Sequence, residues 1–366
     1  MRARASSVPA VNSKPREDCA PPEASPRRRA RGAVRALAGV LTLMGGAAAS
    51  ALEIHGHRGA RGVLPENTLS AFAHALGLGV HALEMDVGIT RDGVVVVHHD
   101  ATLNPDTTRD VHGDWLTPDP RTPIHALSAA ELAVLDVGAA RPHSAHARRF
   151  PAQRALDGER IPTLAQVIAL VARAGNDAVR FNVEPKITPD APALTPPPAA
   201  FAEAVIGVLR DAGVAARATI QSFDWRVLRH VQALAPEIAT GYLSAQREGW
   251  DTIVAHGHGP SPWTGGIDAD EHGGSVPRMV QAAGGRIWSP DYRDLNAQRL
   301  AEAHALGLRV IVWTVNAPRD IARMIALGVD GIISDYPQRV RDAARAAGFA
   351  LPAGTPVAAQ HRSPVQ

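Results

Sequence analysis

The order of elements along this chain predicts an α/β fold, a (β/α)8 barrel with a β-hairpin after its second strand and an inserted segment. Three observations point there. Eight short segments rich in Val and Ile alternate with helical patterns over most of the 366 residues. Asp92-Gly93, set among Val, Ile and Thr, marks a hairpin, because a tight turn needs positive φ and this pair supplies it. Acidic and imidazole side chains recur where strands end, and barrels of this kind gather their function there.

Taken in order, strands are expected at 53–57, 80–90, 179–186, 218–222, 238–243, 286–289, 309–315 and 331–334, with 94–99 as the returning arm of the hairpin. Apolar residues at helical spacing occupy 67–78, 163–174, 199–212, 224–235, 276–283, 296–306 and 318–327. Asp224 suits an N-cap, and Gly307 and Gly328 fall where a left-handed residue ends a helix. Asn67, before Thr68-Leu69, reads as a helix-start residue. Residues 101–162, with many Pro, His and Arg, break the repeat and are expected as an excursion over one face of the barrel. The glycine-rich stretch 256–275 is expected to form a partial lid, its His256, His258 and His272 exposed. Residues 191–200 read as a connector, and those after Leu351 as a loose tail, which leaves one domain over 52–350.

The first 51 residues have a different character. Arg27, Arg28, Arg29, Arg31 and Arg35 precede an apolar run from Ala36 to Ala49, and Ala49-Ser50-Ala51 offers a small-residue cleavage site. That is the layout of a secretory signal, with a run too short for a stable membrane-spanning helix. The expected location is therefore exported, periplasmic or secreted. Cys19, the only cysteine, falls in this leader, so neither a disulfide nor thiolate chemistry is expected in the mature chain. The leader also explains the sequence pI of about 9.0. It holds nine of the 38 Lys and Arg and three of the 36 Asp and Glu, leaving 29 against 33, a net charge of −4 with His neutral. Such a domain has no nucleic-acid footprint, and nothing in it suggests stable membrane insertion.

The stretch from Glu84 to Asp100 carries most of the chemical information. If Asp92-Gly93 is the whole loop, Arg91 faces Val94 and Asp86 faces His99, with Glu84 on the same side two residues back. A slip of one residue would put His98 in that place instead. The first strand delivers His57-Arg58-Gly59 to the same barrel end, and the strand after the insertion delivers Glu184-Pro185-Lys186. Three carboxylates suit a hard divalent cation, Ca²⁺ or Mg²⁺, better than Zn²⁺. Lys186 is the only lysine after the leader in a chain with 36 arginines, which singles it out, since an ammonium and a guanidinium are not interchangeable. His55 shares the face of His57, where packing or a hydrogen bond inside the barrel is expected; His74, His81 and His304 fall on helices or element edges and read as solvated.

H-R-G-A-R-G-V-L-P-E-N-T at 57–68, E-M-D at 84–86, H-D at 99–100, E-P-K at 184–186, Q-S-F at 221–223, W-T-V-N at 313–316 and D-G-I-I-S-D-Y-P at 330–337 together resemble the glycerophosphodiester phosphodiesterase family. The likeness runs in order over about 55–340. It implies a TIM barrel that hydrolyses glycerophosphodiesters to an alcohol and glycerol phosphate with a divalent cation. Residue by residue it implies Glu84, Asp86 and Glu184 as metal ligands and His57 and His99 as the acid/base pair. It further implies Arg58 and Lys186 at the phosphate and Trp313 beside the glycerol. Pro185 departs from a plain E-x-K by removing a backbone donor, and 101–162 matches more loosely until Gly158, which locates the substrate preference there. Within the same chemistry, the alternative is headgroup cleavage of lysophospholipids or sphingolipids. An amidohydrolase-type barrel would explain His55-Gly56-His57 but wants histidines closing the fifth and sixth strands, where Gln221-Ser222 and Leu243-Ser244 stand. A non-catalytic binding barrel would not need an acid/base pair beside a cation cage. The expected partner is a small-molecule diester; nothing in the sequence sets the oligomeric state.

Overall fold

The computed structural model describes residues 52–254 and 257–357. The expected leader with Lys14 and Cys19, His256, and residues 358–366 of the tail lie outside the described residues. The chain runs β1 (Glu53–Gly56), α1 (Leu69–Leu78), β2 (Ala82–Ile89), β3 (Val95–Val97), α2 (Ala129–Ala133), α3 (Ala145–Arg149), α4 (Leu164–Arg173), β4 (Arg180–Pro185), α5 (Pro198–Asp211), β5 (Ala218–Ser222), α6 (Trp225–Leu234) and β6 (Ala239–Ser244). It continues with β7 (Gln246–Arg247), β8 (Trp250–Asp251), α7 (Val276–Ala282), β9 (Ile287–Pro290), α8 (Ala297–Ala305), β10 (Arg309–Val312), α9 (Pro318–Leu327), β11 (Gly331–Ser334) and α10 (Pro337–Ala346).

Eight parallel strands in the order β1-β11-β10-β9-β6-β5-β4-β2 close through a β1–β2 pairing, and β3 returns antiparallel on β2. Alternation along each strand divides the core. Outward residues such as Ile54, Val183, Val310, Val312 and Ile332 pack with the helices in one large apolar layer. Inside the barrel, Ile287, Ile311 and Ile333 form a small cluster of their own, with Trp313 against it. Local chemistry starts the helices as the sequence suggests: Asp224 caps α6 through the Arg226 N–H, and Thr163 with Gln166 forms a capping box on α4. Gly328 ends α9 with φ 91°.

Four features depart from the sequence reading. First, the hairpin pairs Val87 with Val97 and Ile89 with Val95, one residue away from the expected register. Gly93 N–H bonds the Thr90 carbonyl and Gly93 takes φ 80°, so the loop is Arg91-Asp92-Gly93 with a left-handed third residue rather than a two-residue turn. His98 N–H therefore meets the Asp86 carbonyl at 3.0 Å, where His99 was expected. Second, the cap of α1 is Thr68, which accepts from Ala71 N–H, and Asn67 sits before it at φ 57°. Third, α10 is an eighth outer helix that the sequence reading did not include; its buried residues, Pro337, Val340, Arg341 and Ala344, are set among arginines and polar residues. Fourth, residues 352–357 are not loose: Thr355 N–H bonds the Leu76 carbonyl at 2.9 Å and Arg341 reaches the Pro352 carbonyl at 3.1 Å. The 101–162 excursion holds α2 and α3 and its own apolar cluster around Leu103, Ile124, Leu132, Val137 and Ile161, seated on Val96 of the hairpin.

Candidate active site

His57, Arg58, Glu84, His99, Glu184, Lys186 and Trp313 all line one cavity of about 820 Å³ at the carboxyl end of the barrel, and Asp86 is paired with Glu184 beside it. That is near the upper end of the roughly 300–1,000 Å³ usual for small-molecule sites. After β1 the chain reverses sharply through Arg58 at φ 49° and Gly59 at φ 82°, which sends His57 and Arg58 into the mouth. A side chain at 59 would meet the Ala71 carbonyl carbon at 2.6 Å, so glycine is needed for both dihedral and space.

Glu84, Asp86 and Glu184 are buried, and a carboxylate oxygen from each lies within 4.8 Å of the others. The register of the β2–β4 ladder pairs Asp86 directly with Glu184. Burial and the negative charges of Asp86 and Glu184 push the Glu84 carboxyl well above its ordinary range. Glu184 is raised too, mainly by burial, against the pull of Lys186. Burial also acts to raise Asp86, but Arg58, His99 and Lys186 outweigh it and hold that carboxyl below its usual value. Asp86 Oδ2 accepts from Asn67 Nδ2 at 3.0 Å, whereas buried Asp86 Oδ1 has no hydrogen-bond partner. An orphaned carboxylate oxygen among two further acids fits a cation of the oxygen-seeking kind. The cluster can therefore hold a metal ion.

The two imidazoles are built alike. His57 Nδ1 meets Asp335 Oδ1 at 2.5 Å, leaving Nε2 free, 3.8 Å from Glu84 Oε2. His99 Nδ1 meets Asp100 Oδ1 at 2.6 Å, and Asn104 Nδ2 steadies the other oxygen at 3.0 Å. Each carboxylate selects the tautomer that carries its proton on Nδ1. Burial, and then the charge of Arg61, lowers His57 to about 4; burial with Arg58 and Lys186 does the same to His99. His99 reaches the site although its register was misjudged, because β3 ends at Val97 and strand alternation no longer governs where it points.

The expected cations are present and already paired. Arg58 Nη1 donates to Glu66 at 2.8 Å and its Nε lies 3.0 Å from Asp86 Oδ2, out of hydrogen-bond alignment. Lys186 Nζ bonds Glu184 Oε1 at 2.6 Å and stands 3.7 Å from Asp86 Oδ1. Trp313 lines the cavity, its Nε1 on the Ser289 carbonyl, in edge contact with Phe223 and Trp250 at 5.3 and 5.7 Å. Trp250 stands on the β7–β8 ribbon and Trp263 in the loop beyond it, so part of the stretch expected as a lid does border the cavity. His258 and His272 take no part in it.

Several participants escaped the sequence reading. Asn67 touches Asp86, which corrects its reading as a helix-start residue. Asp335, fully buried, also binds Arg61 Nε at 2.8 Å and accepts from Asn316 at 2.7 Å. Glu66 pairs with both Arg58 and Arg61. All of these belong to the stretches at 57–68, 313–316 and 330–337 that carry the family resemblance, but nothing local reveals which way each side chain faces. His55 is inside the barrel, bonded to Glu53 at 3.1 Å, and His81 accepts from Ile54 N–H rather than lying in solvent. The histidines an amidohydrolase would need are absent from the ends of β5 and β6.

The comparisons agree with this geometry. Residues 57–339 match the glycerophosphoryl diester phosphodiesterase family model. A glycerophosphodiester phosphodiesterase from Caldanaerobacter subterraneus is 28% identical over 292 residues, 80% of this chain and 97% of the relative. A putative glycerophosphoryl diester phosphodiesterase from Silicibacter pomeroyi, known as a crystal structure, is 38% identical with a TM-score of 0.73, covering 82% of this chain and 95% of that one. An Oleispira antarctica phosphodiesterase solved with the product sn-glycerol-3-phosphate shares the fold at 24% identity and a TM-score of 0.57, over 81% of this chain and 97% of that one. A barrel with this mouth and these relatives is a phosphoric diester hydrolase. The chain belongs to the glycerophosphoryl diester phosphodiesterase family.

Proposed function

We propose that this enzyme cleaves glycerophosphodiesters to an alcohol and glycerol 3-phosphate, with a divalent cation on Glu84, Asp86 and Glu184 and with His57 and His99 as the acid/base pair. One observation carries the reading: two neutral imidazoles, each with its Nδ1 held by a carboxylate, share a cavity with three converging acids of which one keeps a buried oxygen without a hydrogen-bond partner. When bound, the cation would supply charge stabilisation at the phosphoryl oxygens. Arg58 and Lys186 would add theirs, from donors already fixed in place by Glu66 and Glu184. Substrate binding brings an anionic phosphate toward imidazoles lowered to about 4. That charge favours protonation of one, which then donates to the leaving alcohol, while the other, still neutral, accepts the proton of the nucleophile.

No serine or cysteine among the described residues is held beside either imidazole, so the nucleophile in this reading is the substrate's own glycerol 2-hydroxyl. It would displace the alcohol to give a cyclic phosphate, which water then opens. Trp313, Phe223, Trp250 and Trp263 form an aromatic part of the wall. A panel of glycerophosphocholine, -ethanolamine and -inositol beside lysolipids, each with Ca²⁺, Mg²⁺ or chelator, tests the substrate class and the ion. A 2-deoxy substrate turned over at an unchanged rate would rule out attack by the hydroxyl. His57→Ala and His99→Ala should each leave a folded, nearly inactive protein; a single variant near wild-type rates would remove that residue from the pair. We further propose that residues 1–51 direct export, which N-terminal sequencing of the secreted or periplasmic protein would test.

A further inference from the structure

The barrel interior is apolar on one side and polar on the other. Opposite the isoleucines of β9, β10 and β11 runs an unbroken series of hydrogen bonds. Glu53 Oε2 meets His55 Nε2 at 3.1 Å; His55 Nδ1 meets Asn182 Nδ2 at 3.3 Å; Asn182 Nδ2 donates to Gln221 Oε1 at 2.9 Å; Gln221 Nε2 donates to Glu84 Oε1 at 3.1 Å. His55, Asn182, Gln221 and Glu84 are all 3% exposed or less. At the amino end of the barrel Glu53 is anchored by Arg180, at 2.5 Å, and by Arg309. Barrels normally fill this space with branched aliphatic side chains, and burying amides and an imidazole instead carries a desolvation cost.

We infer that Asn182 and Gln221, tied through His55 to Glu53, are positioning residues that fix the rotation of the Glu84 carboxylate from inside the barrel. With Glu84 ionised, as a cation ligand must be, the series permits one proton arrangement. An ionised Glu84 can only accept, so Gln221 must turn its NH2 upward and its oxygen toward Asn182. Asn182 must then present its own NH2, spending one proton on Gln221 and the other on His55 Nδ1. His55 is left with its proton on Nε2, directed at Glu53, which again can only accept. The one group this arrangement strands is Asn182 Oδ1, and that atom is in fact buried without a partner. Glu84 is thus gripped at both oxygens, by Gln221 at Oε1 and by the Arg58 N–H at Oε2 at 2.9 Å, with its remaining lone pairs left for the site.

The inference rests on the proposed cation site and is tested on binding, not turnover. Ca²⁺ and Mg²⁺ are titrated by calorimetry into wild type, Asn182→Leu, Gln221→Leu and the double variant, with melting curves for each. Outer partners of metal ligands typically contribute about 10–100-fold in affinity. Each single variant should weaken binding by about that factor, and the double variant should be no weaker than Gln221→Leu, because both act through one contact. If Asn182→Leu melts too low to titrate, Asn182→Ser, too short to reach Gln221, takes its place. Wild-type affinity in the Asn182 variants, or losses that add in the double variant, would overturn the inference alone. A wild-type protein that binds neither ion would overturn the cation site and this inference with it.

Discussion

Replacing Asp335 with Asn tests how far the site depends on a residue that never meets substrate. The carboxylate is fully buried and accepts from His57 Nδ1 at 2.5 Å, Arg61 Nε at 2.8 Å and Asn316 Nδ2 at 2.7 Å. An amide of the same shape can accept on one oxygen only. If that oxygen faces His57, the new NH2 points at Asn316 Nδ2 and Arg61 Nη2, donor against donor. If it faces away, His57 must give up its Nδ1 proton and present the wrong tautomer to the cavity. The first outcome leaves Arg61 short of its counter-charge deep in the protein, a loss of roughly 3–5 kcal/mol, at the lower end because Glu66 lies within 3.4 Å. The second removes acid/base assistance worth roughly 10²–10⁴ in rate, or about 3–5 kcal/mol of barrier. Asp335 acts to raise His57, which already lies at about 4, so the variant imidazole stays neutral at neutral pH. The rate loss should therefore persist from pH 6 upward and not be recovered in alkali. The assay is glycerol 3-phosphate release under saturating cation, beside thermal melts. An Asp335→Asn protein with both kcat at pH 7 and Tm close to wild type would refute the reasoning.

Three other outcomes are expected. Ca²⁺ or Mg²⁺ at about 100 times its Kd should add about 2.7 kcal/mol of stability, seen as a rise in Tm that Glu84→Gln removes; an equal rise in both proteins would place the ion elsewhere. Acid should destabilise the fold in two steps. Burial lowers His55, so its contribution is present above its ordinary 6.5 and is lost as pH falls below that value; burial acts to raise Glu53, but His55, Arg180 and Arg309 outweigh it, so its contribution goes below 4.5. Glu66, Asp86, Asp100 and Asp335 are held low in the same way, so Glu53→Gln should lessen the second step without abolishing it, and an unchanged loss of Tm below pH 4.5 would count against this. Finally, Arg149 lines the cavity over the Phe150 ring with no carboxylate partner among the described residues, unlike Arg58, Arg61, Lys186, Arg247 and Arg293. Arg149→Ala should lower kcat/KM by up to about fivefold for diesters whose alcohol carries an anionic group, the scale of an exposed ion pair, and less for choline diesters; equal losses would argue against a charge contact.

The barrel was legible because its signals are local: β-branched runs with period two, helical periodicity between them, caps such as Asp224 and Gly328. The hairpin register was not, since two-residue and three-residue loops both use Asp-Gly, and the choice rests on whether Gly93 closes back on Thr90. His99 was found by its letters and survived the slip only because it stands past the ladder. Lys186 stood out by its rarity. Asp335 lies 278 residues from His57, and sequence supplies no measure of that approach. The polar series from Glu53 to Glu84 was equally hidden, because alternation says which residues face inward but not which of them meet across the barrel.

The placement of the tryptophans gives this protein an optical reporter of its own. Of six, Trp250, Trp263 and Trp313 border the cavity, while Trp225 and Trp288 are sealed in the core. Emission from the first three should shift or quench when the cavity fills, above a steady background from the buried pair. Ligand occupancy can then be followed without a label, even in variants too slow to be assayed by product.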